Sequence, residues 1–276
     1  MGHRFHKKRM KKLIENMTPM DDVMFACMFK DNLYGVGELL KICIGDESLT
    51  AKEVHVHDIS PKPGFHSVVF DAKVVDGKGR IFDVEVQKDN RGASAKRARY
   101  YSSALDAFVL REGEPFENLN DSYVIFITYR DYWKLGEERI EFEMYSIKHK
   151  IAMHDGRHII YVNGRATGES KIAKLMHDFK CTEAKDMNYN FMRQRADMLK
   201  STKEGNKAMV TKFDKLFAKY LEEYRAENRN LGIEEGRAEG KAESRKEIAK
   251  KMKQKSMPIA DIHDITGLSY KEIAAL

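Results

Sequence analysis

Residues 70–87 constrain the fold of this chain more than any other segment. On either side of a turn, residues 68–73 and 82–87 alternate side chains with the period of two that is expected of β-strands. The glycine-containing turn between them is typical of a β-hairpin. Paired in register, the hairpin places Asp71 within a few ångströms of Glu85, and Gln87 shares a strand face with Glu85.

These side chains suit a divalent cation. Mg²⁺ takes oxygen ligands and is usually held by one or two carboxylates together with waters and substrate phosphate. Asp71 and Glu85 would supply the carboxylates, the main-chain carbonyl of Val86 a third oxygen, and the Gln87 amide would orient a water or contact a phosphate. This arrangement predicts metal-assisted phosphodiester hydrolysis without a nucleophilic side chain. The alternative is a surface hairpin whose polar face meets only solvent.

The hairpin resembles the PD-(D/E)XK nuclease superfamily, in its transposase-associated, recombination-promoting branch. In that branch an Asp on one strand precedes an acid-X-Gln or acid-X-Lys on the next strand. Asp71 matches the first acid, and Glu85-Val86-Gln87 matches the second motif. Gln87 stands where many superfamily members have Lys, which agrees with the branch but supplies no positive charge.

Motifs on both sides of the hairpin extend the resemblance. Upstream, residues 18–25 resemble the family's opening helix, in which an Asp begins a D-x-x-F pattern that Asp22 and Phe25 fit. Downstream, residues 96–101 followed by 113–116 resemble its basic and aromatic helix and the loop after it. Several motifs in the same order are far more specific than one.

The resemblance implies a restriction-endonuclease-like α/β core, with a mixed central β-sheet flanked by helices, and a helical C-terminal tail. It also implies a metal-dependent DNA endonuclease linked to transposition or recombination, in which Asp71, Glu85 and Gln87 act around Mg²⁺ or Mn²⁺. An acid on the first helix sometimes joins the metal site in this superfamily, so Glu38 and Asp22 are further candidate ligands. For both, a capping or solvated acid is the simpler interpretation.

Two other functions are compatible with the same residues. The first is a nucleic-acid-binding or assembly protein on a nuclease-like scaffold that has lost turnover. The second is a metal-free protein-interaction module. Because both acids of the hairpin are present, the sequence favours an active enzyme.

A predicted helix over residues 94–111 carries candidate DNA contacts. Lys96, Arg97 and Arg99 crowd its first turns, where positive charge opposes the helix dipole. A phosphate partner would compensate that cost, with Tyr100 packing on sugar or base. The alternative is a solubilising face over a buried stripe.

Composition and cysteine usage favour a cytoplasmic protein. The formal net charge of +6 over 276 residues suits a polyanionic partner such as DNA only where the charge is local. No apolar run approaches the ~18 residues of a membrane span, and no secretory leader is recognisable, so no membrane partner is expected. The three cysteines show no paired spacing and predict reduced thiols.

The chain is predicted to have three parts. Residues 1–16 form a basic arm, which either contacts phosphates or is disordered, and residues 17–212 form the nuclease-like domain. Residues 213–276 form a helical tail, whose glycines at 232, 236 and 240 indicate either a dimer contact or a hinge. The tail ends in a helix-turn-helix-like hairpin over residues 258–276, which suits packing or homodimer formation better than reading of DNA sequence.

Coarser features complete the predicted fold. Residues 22–44 are expected to form two helical pieces with a break near Gly35 and Gly37, and residues 121–128 a strand buried on both faces. Further strands are expected at 53–59, 140–147 and 158–162. Five histidines carry only a weak metal signal, because no third ligand stands at useful spacing. They are His55 and His57, which share a strand face, and the scattered His149, His154 and His158.

Overall fold

The computed structural model describes residues 10–60, 68–110, 113–254 and 258–276. The chain forms two compact units, Met1–Asp214 and Lys215–Leu276. Most of the predicted basic arm, residues 1–9, lies outside the described residues, as does the proline-containing segment 61–67 that precedes the hairpin.

The first unit is built on a six-stranded mixed sheet with the order β1-β2-β3-β4-β8-β5. The strands are β1 (Ala51–Ser60), β2 (Val68–Asp76), β3 (Ile81–Gln87), β4 (Ser122–Thr128), β5 (Arg139–Phe142), β6 (Tyr145–Ser146), β7 (Ile151–Ala152) and β8 (Arg157–Asn163). The hairpin β2–β3 is antiparallel, β3, β4 and β8 are mutually parallel, and β5 returns antiparallel to β8. The predicted α/β fold with a mixed sheet is confirmed.

The helices of the first unit flank the sheet. They are α1 (Asp22–Phe29), α2 (Leu33–Ile44), α3 (Ala95–Val109), α4 (Lys171–Asp178) and α5 (Asn190–Ser201). Helix α6 (Lys203–Gln254) continues into the second unit, which also contains α7 (Ile259–Thr266) and α8 (Tyr270–Ala275). Helix α3 packs on the sheet face that carries Val124, Phe126 and Tyr161. The opposite face meets α2, since Arg139 of β5 donates a 2.9 Å hydrogen bond to the Ile44 carbonyl.

The break between the first two helices lies at residues 30–32, and the prediction that it falls at Gly35 and Gly37 is wrong. The Asn32 side chain accepts a hydrogen bond from the Gly35 amide at 3.0 Å and so caps α2. A Cβ at Gly35 would lie 2.3 Å from Asn32 Nδ2, so glycine is required beside this cap. Asp21 precedes α1 without capping it, because its carboxylate accepts bonds from Thr18 instead.

The central strands and the edge strands differ in burial. Every residue of β4 is buried, as predicted for the central strand. The strand predicted over residues 140–147 is divided, because β5 ends at Phe142 and β6 pairs with β7 in a separate two-stranded sheet. No helix of the described residues is both long and apolar enough to cross a membrane.

The second unit contains the end of α6 together with α7 and α8. Helix α6 is continuous through the glycines at 232, 236 and 240. Ala249 of α6 packs with Ile262 of α7, with Leu268 of the following turn and with Ile273 of α8. Ile259 and Ile265 lie outside this cluster, since these side chains are 45% and 63% exposed.

Candidate active site

Asp71 and Glu85 are neighbours across the β2–β3 hairpin. The antiparallel register pairs Ala72 with Val84, so Asp71, which precedes Ala72, lies beside Glu85, which follows Val84. The Asp71 amide donates to Glu85 Oε1 at 3.0 Å, and the Val86 amide donates to Asp71 Oδ2 at 3.0 Å. Each carboxylate is therefore held by a main-chain N–H of the opposite strand.

A third acid, Asp83, was not singled out from the sequence. It lies two residues before Glu85 on the same strand face, and both side chains are fully buried. Neither oxygen of Asp83 has a hydrogen-bond partner among the described residues. Strand alternation places Asp83 on the same face as Glu85. Asp83 is buried because α3 packs on that face of the sheet. The alternative of a polar hairpin face in solvent is therefore wrong.

Arg97 of α3 supplies the positive charge at these acids. Its Nη2 donates to Glu85 Oε2 at 2.6 Å and to the Tyr101 hydroxyl oxygen at 2.8 Å, and its Nη1 donates to the Gly92 carbonyl at 3.0 Å. The guanidinium also lies 4.7 Å from the centre of the Tyr101 ring. Arg97, predicted as a DNA contact, thus forms an ion pair within the acid cluster.

The other predicted DNA contacts lie at the surface of α3. Lys96, Arg99 and Tyr100 are all exposed, with Tyr100 at 41%. They follow one another along the first turns of the helix whose Arg97 reaches Glu85. Arg97 is therefore directed into the protein, whereas Lys96, Arg99 and Tyr100 remain accessible at the surface.

Gln87 lies at the open end of β3. Its Nε2 is 3.5 Å from Glu85 Oε2, and its Oε1 accepts from Arg97 Nη1 at 3.4 Å. A Cβ at Gly92 would lie only 1.7 Å from Gln87 Oε1. Gly92 is therefore needed for the observed position of the Gln87 side chain.

The two further candidate ligands have different surroundings. Glu38 forms a 2.7 Å ion pair with Lys41 one turn later on α2, which accounts for its charge. The charge of Asp22, in contrast, acts on Asp71 and raises the pKa of that carboxyl. Of the two, Asp22 is the acid that the structure connects electrostatically with the hairpin.

Comparison with known families agrees with this arrangement. A family model described as PD-(D/E)XK nuclease family transposase matches residues 62–251, more than half of the chain. The chain belongs to this family. The matched segment contains the hairpin acids and all of α3. Searches of curated proteins and of solved structures gave no match.

Burial sets the electrostatics of this PD-(D/E)XK site. It raises the pKa of Asp71 to about 7, with Asp22 raising it further and the Val86 amide opposing the shift. Burial, followed by the charges of neighbouring acids, holds the pKa values of Asp83 and Glu85 well above their usual range, while Arg97 lowers both. Arg97 is the cation in direct contact with these acids. Lys73 also lowers the pKa of Asp83, and Lys212 lowers that of Asp71.

The donor set fits the divalent ions that PD-(D/E)XK nucleases generally use. Carboxylates are preferred ligands of Mg²⁺, and the hairpin supplies two of them in Asp71 and Glu85. Asp71 and Glu85 are each fixed by a main-chain amide of the opposite strand, and the Val86 main chain is fixed through its amide. The described residues do not place three carboxylate, imidazole or thiolate ligands together here, so further oxygens must come from main chain, water or substrate.

The raised pKa values predict that the metal-free protein loses stability as pH rises. Because the folded state of Asp71 keeps its proton up to about pH 7, it binds more protons than the unfolded state above about pH 4. The free energy of unfolding should therefore fall between pH 4.5 and 7, by up to about 1.4 kcal/mol per pH unit for each such carboxyl. Urea unfolding in EDTA measures this slope.

The Asp83→Asn variant provides the control, because it removes one of these titrating groups and should flatten the slope. The depressed pKa of Asp46, which accepts hydrogen bonds from Ser48 and Arg80, acts at lower pH and does not interfere. Unfolding free energy that rises over this pH interval in the wild type would contradict the assignment.

Gly92 yields a second prediction. The Gly92→Ala variant should lower the free energy of unfolding by about 1 kcal/mol, because its methyl group displaces the end of the flexible Gln87 side chain and disturbs its contact with Arg97. Gly37→Ala, inside α2, is the matched control. A Cβ at Gly37 would lie 3.6 Å from the Ala51 amide nitrogen, which is an ordinary contact distance. That change should leave stability equal or raise it by up to about 1 kcal/mol. Equal effects of the two variants would contradict the close packing at Gly92.

Proposed function

We propose that the protein is a metal-dependent DNA endonuclease that hydrolyses phosphodiester bonds, in association with transposition or recombination. The observation that carries the proposal is the pair Asp71–Glu85, in which Glu85 is fully buried, Asp71 is partly buried, and each carboxylate is fixed by the opposite strand. Family membership supports a nuclease- or transposase-related role.

Each residue of the site has a distinct proposed task. Asp71, Glu85 and the Val86 carbonyl would hold Mg²⁺ or Mn²⁺. The bound ion would acidify a water and neutralise charge that develops on the phosphate. Gln87 would orient that water or a phosphate oxygen, and Arg97 would keep Glu85 in place through its 2.6 Å bond. Because water is the nucleophile, the site requires no reactive serine or cysteine.

DNA is the proposed substrate, and α3 is the proposed contact surface. Lys96 and Arg99 would pair with phosphates, and Tyr100 would pack on sugar or base. We also retain as proposals a cytoplasmic location and a homodimer formed through the C-terminal tail. The helix-forming run of α6 through three regularly spaced glycines supports close helix contact in such a dimer.

The enzyme is tested with supercoiled plasmid incubated in Mg²⁺, in Mn²⁺ or in EDTA. We expect nicked or linear plasmid only with metal, and none with Glu85→Gln. Glu117→Gln, an exposed acid after α3, should cut like the wild type. Intact plasmid with salt-sensitive DNA binding would favour the alternative, a scaffold that has lost turnover. A protein that neither cuts nor binds DNA would contradict both the enzyme and the inactive scaffold.

The basic surface of α3 gives a prediction for DNA binding. The double variant Lys96→Ala/Arg99→Ala should weaken binding and lower the slope of log affinity against log salt by about 2, since two phosphate contacts are lost. A double replacement of exposed lysines outside α3, Lys52→Ala/Lys185→Ala, should leave the slope unchanged. Fluorescence anisotropy over a salt series measures both. Equal slopes for the two variants would remove α3 from the interface.

A further inference from the structure

We propose that the protein has a second metal site, for a divalent transition ion of the Zn²⁺ class, formed by Glu141, Glu143 and His158. One ligand atom from each of these residues lies within 4.8 Å of the other two. The site belongs to the edge of the sheet formed by β5 and β8, apart from the β2–β3 hairpin. No role is otherwise assigned to these residues in the proposed nuclease chemistry.

Strand pairing brings the three ligands together. Strand β5 pairs antiparallel with β8, with Phe142 opposite Ile159. One step further along this register, Glu143 lies opposite His158, and Glu141 precedes Glu143 by the two residues that keep it on the same face. His158 Nδ1 is 2.9 Å from Glu141 Oε1 and 3.9 Å from Glu143 Oε1.

The imidazole is oriented in advance. The His158 ring stacks on Tyr123 at 4.3 Å with an interplanar angle of 7°, and Tyr123 stacks in turn on Phe82 at 4.8 Å. The second oxygen of Glu141 pairs with Arg139, which is itself fixed by the Ile44 carbonyl. These contacts fix the orientation of the imidazole ring and of the Glu141 carboxylate before any ion binds.

Glu143 is less well compensated than Glu141 in this cluster. Arg139 and His158 Nδ1 both contact Glu141, whereas Glu143 Oε1 lies 3.9 Å from His158 Nδ1, beyond hydrogen-bond distance. A dication at the centre would attract both carboxylates and the imidazole nitrogen together. An adjacent cavity of about 200 Å³ offers room for water ligands. Its lining includes Glu143, His154, His158, Asp121 and Asp155.

The mixture of nitrogen and oxygen donors decides the class of ion. Imidazole suits Zn²⁺ and similar transition ions, whereas Mg²⁺ prefers oxygen ligands alone. The proposed catalytic site, with its carboxylates, has only oxygen donors. The two sites should therefore be separable by metal type.

A second group of ligating residues does not support the same conclusion. His177, Asp178 and Cys181 also lie together, but Asp178 Oδ1 already accepts two bonds from Asn188, at 2.7 and 2.9 Å. Its Oδ2 accepts from the Tyr189 amide at 2.8 Å. Those bonds tie α4 to the start of α5 and account for the cluster without metal.

The site has a structural consequence for the segment between its ligands. Glu143 and His158 stand at the two ends of the segment that contains the β6–β7 hairpin. A shared ion would join those ends and restrain the hairpin between them. Zn²⁺ should therefore slow amide hydrogen exchange in residues 144–157 while leaving the β2–β3 hairpin unchanged.

The test is a calorimetric Zn²⁺ titration of the full chain in millimolar Mg²⁺, which occupies the oxygen-only site. We expect one saturable Zn²⁺ site per chain, weakened at least ~10-fold by Glu143→Gln and by His158→Gln. Three control variants should bind Zn²⁺ like the wild type: Glu117→Gln, Cys181→Ser and Asp71→Asn. Thermal melting in EDTA shows whether each variant folds, and Glu143→Gln is the decisive one because its side chain is 43% exposed.

Four outcomes would overturn the proposal. The first is the absence of saturable Zn²⁺ binding. The second is binding that Glu143→Gln leaves unchanged in a folded protein. The third is binding that Cys181→Ser abolishes, which would move the site to the α4–α5 group. Loss of Zn²⁺ binding in Asp71→Asn would likewise assign the ion to the β2–β3 hairpin.

Discussion

Replacing Asp71 by Asn is expected to reduce metal-dependent plasmid cleavage by about 10³-fold or more. The amide keeps the size of the side chain but removes one of the two negative charges that would hold the ion. A dication contributes several kcal/mol of transition-state stabilisation, and about 4 kcal/mol corresponds to 10³ in rate. Initial rates of nicking at saturating Mg²⁺ measure the loss.

The same variant should fold at least as well as the wild type in the absence of metal. Burial already raises the pKa of Asp71 to about 7, so a neutral side chain suits its surroundings. Loss of cleavage with an unchanged or higher melting temperature would locate the defect in the chemistry. Cleavage within a few-fold of wild type would show that Asp71 does not hold the ion.

Replacing Arg97 by Met should lower the free energy of unfolding by on the order of 3 kcal/mol, because it leaves a buried cluster of acids without its cation. This figure is the lower end of the range for buried pairs, since the Arg97 side chain is 31% exposed whereas Glu85 is fully buried. The effect should be larger at pH 8 than at pH 6, because the acids ionise as pH rises through the raised pKa of Asp71.

Arg99→Met is the matched control on the same helix. Arg99 is exposed, so its replacement should change stability by no more than about 0.5 kcal/mol. Urea unfolding in EDTA compares the two variants, and added Mg²⁺ should restore part of the stability that Arg97→Met loses. Equal losses in both variants would mean that the contact between Arg97 and Glu85 contributes nothing specific.

The sequence contained the parts of the fold that depend on local patterns. Strand alternation and a glycine-containing turn predicted the β2–β3 hairpin, and a continuous apolar run predicted β4. The prediction of a helix break at Gly35 is wrong, because this glycine lies inside α2. Its role depends on the Asn32 side chain that folds back over it, a contact that residue type alone does not reveal.

The candidate site was predictable only in part. Spacing and resemblance singled out Asp71, Glu85 and Gln87, but the roles of Asp83 and Arg97 depend on where α3 lies. That helix buries the acid face of β3 and directs Arg97 towards Glu85, and such tertiary packing leaves no periodic signal in the sequence. For the same reason, the carboxylate neighbours of His158 could not be predicted from sequence, because they depend on the pairing of β5 with β8.

Whether Asp71 and Glu85 share one divalent cation is tested most directly by Mn²⁺ binding, followed through the electron paramagnetic resonance signal of free Mn²⁺. The Glu143→Gln protein, which lacks the proposed second site, should bind one Mn²⁺ per chain. Adding Asp71→Asn to it should weaken that binding by about 10²-fold or more, since one of the carboxylates that would bind the ion is lost. Equal Mn²⁺ affinity in the two proteins would contradict a metal site at the β2–β3 hairpin.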